Sequence, residues 1–160
     1  MSAWLNAMNP TAPITSEAEA QKAARSSAVS IFIGVVAGIV GIIWSFMIAD
    51  ELAAAAAAGA QAGIWLGVGL TVVQLVFALI QWRDPKKFIA WLFLALIALG
   101  FVGTLATPLM ADAVAAAGVP PTPMWQIVLS LVTLVIQAVL HVAGLRGMKR
   151  LDDIQMSAAR

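Results

Sequence analysis

Four long apolar runs without a single Lys, Arg, Asp or Glu limit what this chain can fold into. They cover residues 29–49, 62–82, 88–107 and 124–145. About 20 helical residues cross the roughly 30 Å of a bilayer's hydrocarbon, so each run is long enough to span it. Within lipid the backbone must pair its own N–H and C=O groups, which leaves helices or closed barrels. These runs are too long and too uniformly apolar for barrel strands. The expected fold is all-α: a polytopic membrane protein with four transmembrane helices in two antiparallel hairpins. Residues 1–28 form an N-terminal segment with helix from about 17, residues 29–87 the first hairpin, 88–145 the second and 146–160 a basic tail.

Composition agrees. Charged residues make up 11% of the 160 and hydrophobic ones 62%, against about a quarter charged in soluble domains. The segments outside the runs are too short for a soluble domain of useful size. A removable signal peptide is not expected, because a long polar leader precedes the first run, which exceeds the roughly 7–15 residues of a signal core.

Charge placement sets the orientation. Lys22 and Arg25 precede the first run, Arg83, Lys86 and Lys87 lie between the second and third, and Arg146, Lys149, Arg150 and Arg160 follow the fourth. The other two connections hold Asp50, Glu51 and Asp112 and no base. Basic residues stay on the cytoplasmic side, which puts both termini and the middle loop there. The expected location is the plasma membrane, specifically a bacterial inner membrane. Trp65, Trp82, Trp91 and Trp125 sit near run ends, as interface anchors do.

Local signals mark the connections. Ser16 and Glu19 have capping-box spacing, predicting a helix that starts there and runs into the first span. Asp84–Pro85 and Thr122–Pro123 each pair an N-cap residue with proline at a first helical position. The Ala-rich stretch after Asp50 has high helix propensity up to Gly59. Pro108 should end or kink the third span.

The chain also echoes itself. Ala49-Asp50 and Ala111-Asp112 follow spans one and three, and Trp65 and Trp125 open spans two and four. Val72–Phe77 (VVQLVF) answers Val135–Leu140 (VIQAVL), and Arg83, Lys86 and Lys87 match Arg146, Lys149 and Arg150 in spacing. This predicts either a parallel duplication about an axis along the membrane normal or the coincidence that a small alphabet allows.

Each span has one face of small and polar residues. Gly34, Gly38, Gly41 and Ser45 form it in the first; Gly63, Gly67, Thr71, Gln74, Ala78 and Gln81 in the second; Gly100, Gly103, Thr104 and Thr107 in the third. The fourth offers Gln126, Ser130, Thr133, Gln137 and His141, extended by Gly144. Small residues let helices approach, and hydroxyls and carboxamides bond across the gap. Gln74 and Gln137 occupy matching positions, and a mutual contact would satisfy both amides. Such faces serve first as interhelical contacts and alternatively as a polar path.

His141 is the only histidine, five residues before Arg146 and so about 7.5 Å from it along the axis. One imidazole suffices to ligate a haem or a chlorophyll-type pigment, although no cofactor is expected as the first reading, a polar residue near a helix end being the simpler one. With no cysteine, no tyrosine and no charged group in the spans, neither a catalytic set nor a metal site is legible. There is no basic stripe with interleaved aromatics, so nucleic acid is not an expected partner. The expected function is a non-catalytic membrane subunit that assembles through its small and polar faces with itself or with other membrane subunits. A small oligomeric channel or transporter with a Gln/Thr-lined path is the alternative, and a pigment or haem carrier through His141 the third.

Overall fold

The computed structural model describes residues 3–49, 54–117 and 119–159, and no strand occurs among them. The helices are α1 (Ala3–Met8), α2 (Glu17–Ala49), α3 (Ala54–Arg83), α4 (Lys87–Ala106), α5 (Ala111–Ala116) and α6 (Met124–Ala158), with a 3-10 turn at Thr107–Met110. Four of them, α2, α3, α4 with its continuation, and α6, are long and apolar enough to cross a membrane. Asp50 and Glu51 lie outside the described residues, as does the start of the Ala-rich stretch.

At 1.5 Å per residue the 33-residue α2 and 35-residue α6 reach about 50 Å, well beyond the hydrocarbon. Their excess carries the basic clusters, so α6 runs as helix through the segment from Arg146 to Ala158. Large apolar side chains such as Leu70, Leu99, Val102 and Val132 stand exposed on the outer surface. Lipid is the surrounding that suits so much uncovered apolar area.

The four long helices pack side by side. α2 packs against α3 and α6, and α4 packs against α6. α3 and α4 meet chiefly near the basic end, where Phe77 and Phe93 cross edge to face at 5.8 Å. Ile31, Ala78, Ile89 and Phe93 form a core there, and Ala24, Ala90 and Met148 a second one further toward the basic end.

The tightest contact joins α2 to α6. A Cβ added at Gly147 would lie 2.6 Å from the Ala23 carbonyl carbon and 2.8 Å from the Ala20 oxygen, and one at Gly144 would lie 2.6 Å from Ser27 Cβ. Ala20, Ala23 and Ala24 are fully buried in this seam. The helices approach this closely because glycines of α6 face alanines and Ser27 of α2.

Helix starts follow local chemistry, not always as the sequence suggests. Ser16 and Glu19 form the reciprocal capping box, each side chain taking the other's backbone N–H at 3.3 Å. Asp84 does not cap α4. The helix begins at Lys87 with Lys86 as N-cap, Gln81 Oε1 accepts the Lys86 N–H at 2.9 Å, and Asp84 pairs instead with the Lys86 ammonium at 2.6 Å. A carboxamide one turn back on α3 does the cap's work. For α6 the N-cap position is Pro123 itself, without a side-chain cap. α4 stops at Ala106, just before Pro108.

The N-terminal segment folds back onto the basic end. Trp4 stacks on Trp82 at 6.0 Å with the planes 6° apart, and the Arg25 guanidinium lies 5.7 Å from the Trp82 ring. Arg146 donates hydrogen bonds to the carbonyls of Pro10 and Ala12. Trp82, expected as an interface anchor, also stacks within the chain and remains 38% exposed.

Two outcomes are expected. Gly147→Leu should cost about 2 kcal/mol or more, since its obstacle is backbone, whereas Gly63→Ala, with open space around it, should stay within about 0.5 kcal/mol; thermal unfolding in detergent measures both. The Glu19 carboxyl accepts from the Thr15 N–H and hydroxyl at 2.8 Å each, which hold it below its ordinary value of 4.5. Its contribution is therefore complete above pH 4.5 and is lost as pH falls through the lower folded value. Amide exchange at Thr15 and Ser16 should accelerate in that acid range, and Glu19→Gln should show the faster exchange already at neutral pH.

Candidate functional site

α6 turns its polar face inward. Gln126, Ser130, Thr133, Gln137 and His141 recur every three or four residues and so share one side of the helix. That side lines an open-sided cavity of about 850 Å³ between α2, α4 and α6. Opposite stand Gly34, Ala37, Gly41 and Trp44 of α2 and Phe93, Ile97, Gly100 and Thr104 of α4, while Gln74 reaches in from α3. Of the three glycines facing it only Gly41 opens onto space, because Gln137 fills the place before Gly34 and Leu134 would lie 3.4 Å from a Cβ at Gly100. From Gln126 to His141 it follows α6 for about 22 Å. No charged side chain lines it.

One end is sealed by hydrogen bonds between α2 and α6. Ser30 Oγ donates to the Gln137 carbonyl and Gln137 Nε2 donates to the Ser30 carbonyl, both at 3.0 Å. Ser26 Oγ donates to the Leu140 carbonyl at 2.8 Å. From α3, the buried Gln81 amide donates to Ser27 Oγ at 2.7 Å. Each carbonyl reached is one the helix already uses, so these bonds tie the helices without breaking either ladder. At the far end Trp44 and Trp125 meet edge to face at 6.0 Å.

His141 forms the floor beside this seal. It is 1% exposed, its ring lies 6.1 Å from Phe93 with planes 21° apart, and it lines the cavity. Its Nδ1 is the one buried side-chain nitrogen or oxygen, among the described residues, that has no hydrogen-bond partner.

The structure separates the small and polar residues that the sequence groups together. Gly34 and Gly38 are filled within the chain: a Cβ at Gly34 would meet Gln137 Nε2 at 2.8 Å and Gln74 Oε1 at 3.4 Å, and one at Gly38 would meet Thr71 Oγ1 at 2.7 Å. Gly67 faces Ile42, whereas Gly41, Gly63 and Gly103 have open space before them. Ser45, Thr104 and Thr133 spend their hydroxyls on the carbonyl four residues back in their own helices. Gln126 and Ser130 are half-buried at the cavity wall. Gln74 and Gln137 do not bond to each other; both approach the α2 backbone at Gly34, whose missing side chain admits them. Ala78, which precedes His141 by the same 63 residues that separate Gln74 from Gln137, is buried in the same core as Phe93.

Sequence reasoning missed Ser26, Ser27, Ser30 and Gly147. The first three continue a stripe of small residues, Ala20, Ala23, Ala24, Ser27 and Ser30, at helical spacing. Its start lies in the polar leader, where a membrane contact face is not sought. Gly147 sits inside the basic cluster for the same reason.

Replacing Gln137 with Leu should cost about 0.6 kcal/mol and no more than about 1.7, the measured range for interhelical bonds in a membrane protein. Thr133→Val, which loses only a bond to its own helix, should be neutral within about 0.5 kcal/mol. Reversible unfolding in mixed micelles compares the two. No family model, no curated protein and no solved structure matches the chain.

Proposed function

We propose that this is a non-catalytic membrane protein that holds an uncharged, largely apolar small molecule inside its bundle. One observation carries this reading: Gln126, Ser130 and His141 on the polar face of α6 line a cavity, whereas Gln137 and Thr133 of that face already have their bonds. Polar groups that face empty space in lipid are costly, and a bound molecule supplies what they lack. The absence of charge along the walls favours a neutral occupant. The side between α3 and α4, closed mainly near the basic end, gives such a molecule a lateral way in from the bilayer. We place the protein in a bacterial inner membrane with both termini cytoplasmic, on the segregation of its basic residues.

Conduction is the weaker alternative, because the Ser30–Gln137 and Ser27–Gln81 bonds close the path at the basic end. Assembly with copies of itself or with other subunits is a second reading. Gly63 and Gly103 favour it, as small surface positions that none of the described residues covers.

Binding of a fluorescent neutral lipophile such as N-phenyl-1-naphthylamine tests the main reading in protein held in a mild detergent. Saturable binding is expected with the native chain. Ser130→Trp, which places an indole in the cavity, should weaken it at least tenfold while leaving thermal unfolding unchanged. Equal binding by both proteins contradicts the cavity as the site.

A further inference from the structure

His141 sets what the occupant must offer. A neutral imidazole carries one N–H, on Nδ1 or on Nε2. Nδ1 is buried without a partner, and a stranded donor there would cost about 1–3 kcal/mol. Orphaned N–H groups are also rarer than under-used acceptors. Among the described residues Nε2 has no partner either, but it is not fully buried, so the proton belongs there, where it can reach an acceptor in the cavity. His141 thus presents a hydrogen-bond donor at the floor of the cavity.

This tautomer weighs against a porphyrin metal. An axial imidazole binds the metal through one nitrogen and gives its other N–H to a carbonyl or carboxylate. With Nε2 on a metal, the proton would move to Nδ1, where no acceptor stands. The site suits an acceptor atom on the ligand instead.

The surroundings narrow the class. Phe32 and Phe93 line the cavity with His141, and the Phe93 ring already lies nearly parallel to the imidazole. Aromatic walls of this kind favour a flat ring. Gln74 lines the same space with its Oε1 toward Gly34, which leaves its amide N–H groups as a second donor. Beyond the floor the cavity continues for about 22 Å along α6, enough for an apolar tail. No charge is present to recognise an ionic head group.

We propose that the cavity binds a lipid-soluble quinone, with one ring carbonyl accepting from His141 Nε2–H, the ring beside Phe93 and the tail running toward Trp44 and Trp125. The proposal rests on the cavity being a ligand site at all, and its test keeps the two apart.

Decylubiquinone and decylbenzene, which share a tail and differ in the carbonyl-bearing ring, are titrated into the full chain in nanodiscs. Quenching of tryptophan fluorescence reads the quinone, and its competition with N-phenyl-1-naphthylamine reads both. Saturable quinone binding is expected, at least tenfold tighter than decylbenzene. His141→Phe keeps the ring and loses the donor, so it should weaken the quinone at least tenfold and leave decylbenzene unchanged, which also shows that the variant is folded. His141→Gln restores a donor and should recover part of the loss. Equal affinity for the two ligands, or no effect of His141→Phe, overturns the quinone assignment and leaves the cavity standing. Failure of both ligands to bind overturns both. A haemin Soret shift that His141→Phe abolishes also overturns the assignment, in favour of metal ligation.

Discussion

Backbone contact between α2 and α6 underlies the rest of the structure. At Gly144 and Gly147 nothing separates the two helices, and Ala20, Ala23, Ala24 and Ser27 supply an equally smooth partner surface. In lipid, close packing and interhelical hydrogen bonds replace the hydrophobic drive that joins helices in water. Both are present here, because only helices this close let Ser26, Ser30 and Gln137 reach the opposite main chain. Further along, α2 and α6 line the cavity with large apolar side chains such as Phe32, Val36 and Leu129, among which Ala37, Gly41, Ser130 and Thr133 are the small ones.

A hydroxyl or amide that completes a neighbour's bond behaves differently from one that does not. Ser26, Ser27, Ser30 and Gln81 are consumed in the seal, and Thr133 and Ser45 by their own helices. His141 is left with a nitrogen that nothing in the chain answers. A buried polar group without a partner is a cost that a folded protein rarely carries without use. That cost leaves the ring's proton to Nε2, and this donor, on a residue that lines an uncharged cavity, is what a ligand must answer.

Much of this was legible before the structure. Uncharged runs of spanning length announce the four helices, and the Ser16–Glu19 box marks where α2 begins. The five polar residues of α6 are readable as one face, since helical spacing alone decides that. What that face meets is not readable, because a stripe of small and polar residues looks alike whether a helix or a void lies opposite. The difference is made by Ala37 and Gly41 on α2, and only the folded arrangement sets them opposite that face. The α4 start was misjudged for a related reason. Asp84 and Pro85 have the local pattern of a cap, yet Gln81 reaches the Lys86 N–H from the preceding helix and fills the role. The seam at Gly147 escaped notice because it lies among basic residues, outside any apolar run.

The chain contains one histidine, which makes the central claim directly measurable. Nitrogen NMR of protein labelled at the imidazole gives a single pair of ring signals, free of overlap. A protonated Nε2 and a bare Nδ1 are expected, with the Nε2 signal shifting when a lipid-soluble quinone is added and the Nδ1 signal remaining that of an unprotonated nitrogen. A proton on Nδ1, or ring signals indifferent to any lipophile, would contradict a donor facing a ligand cavity.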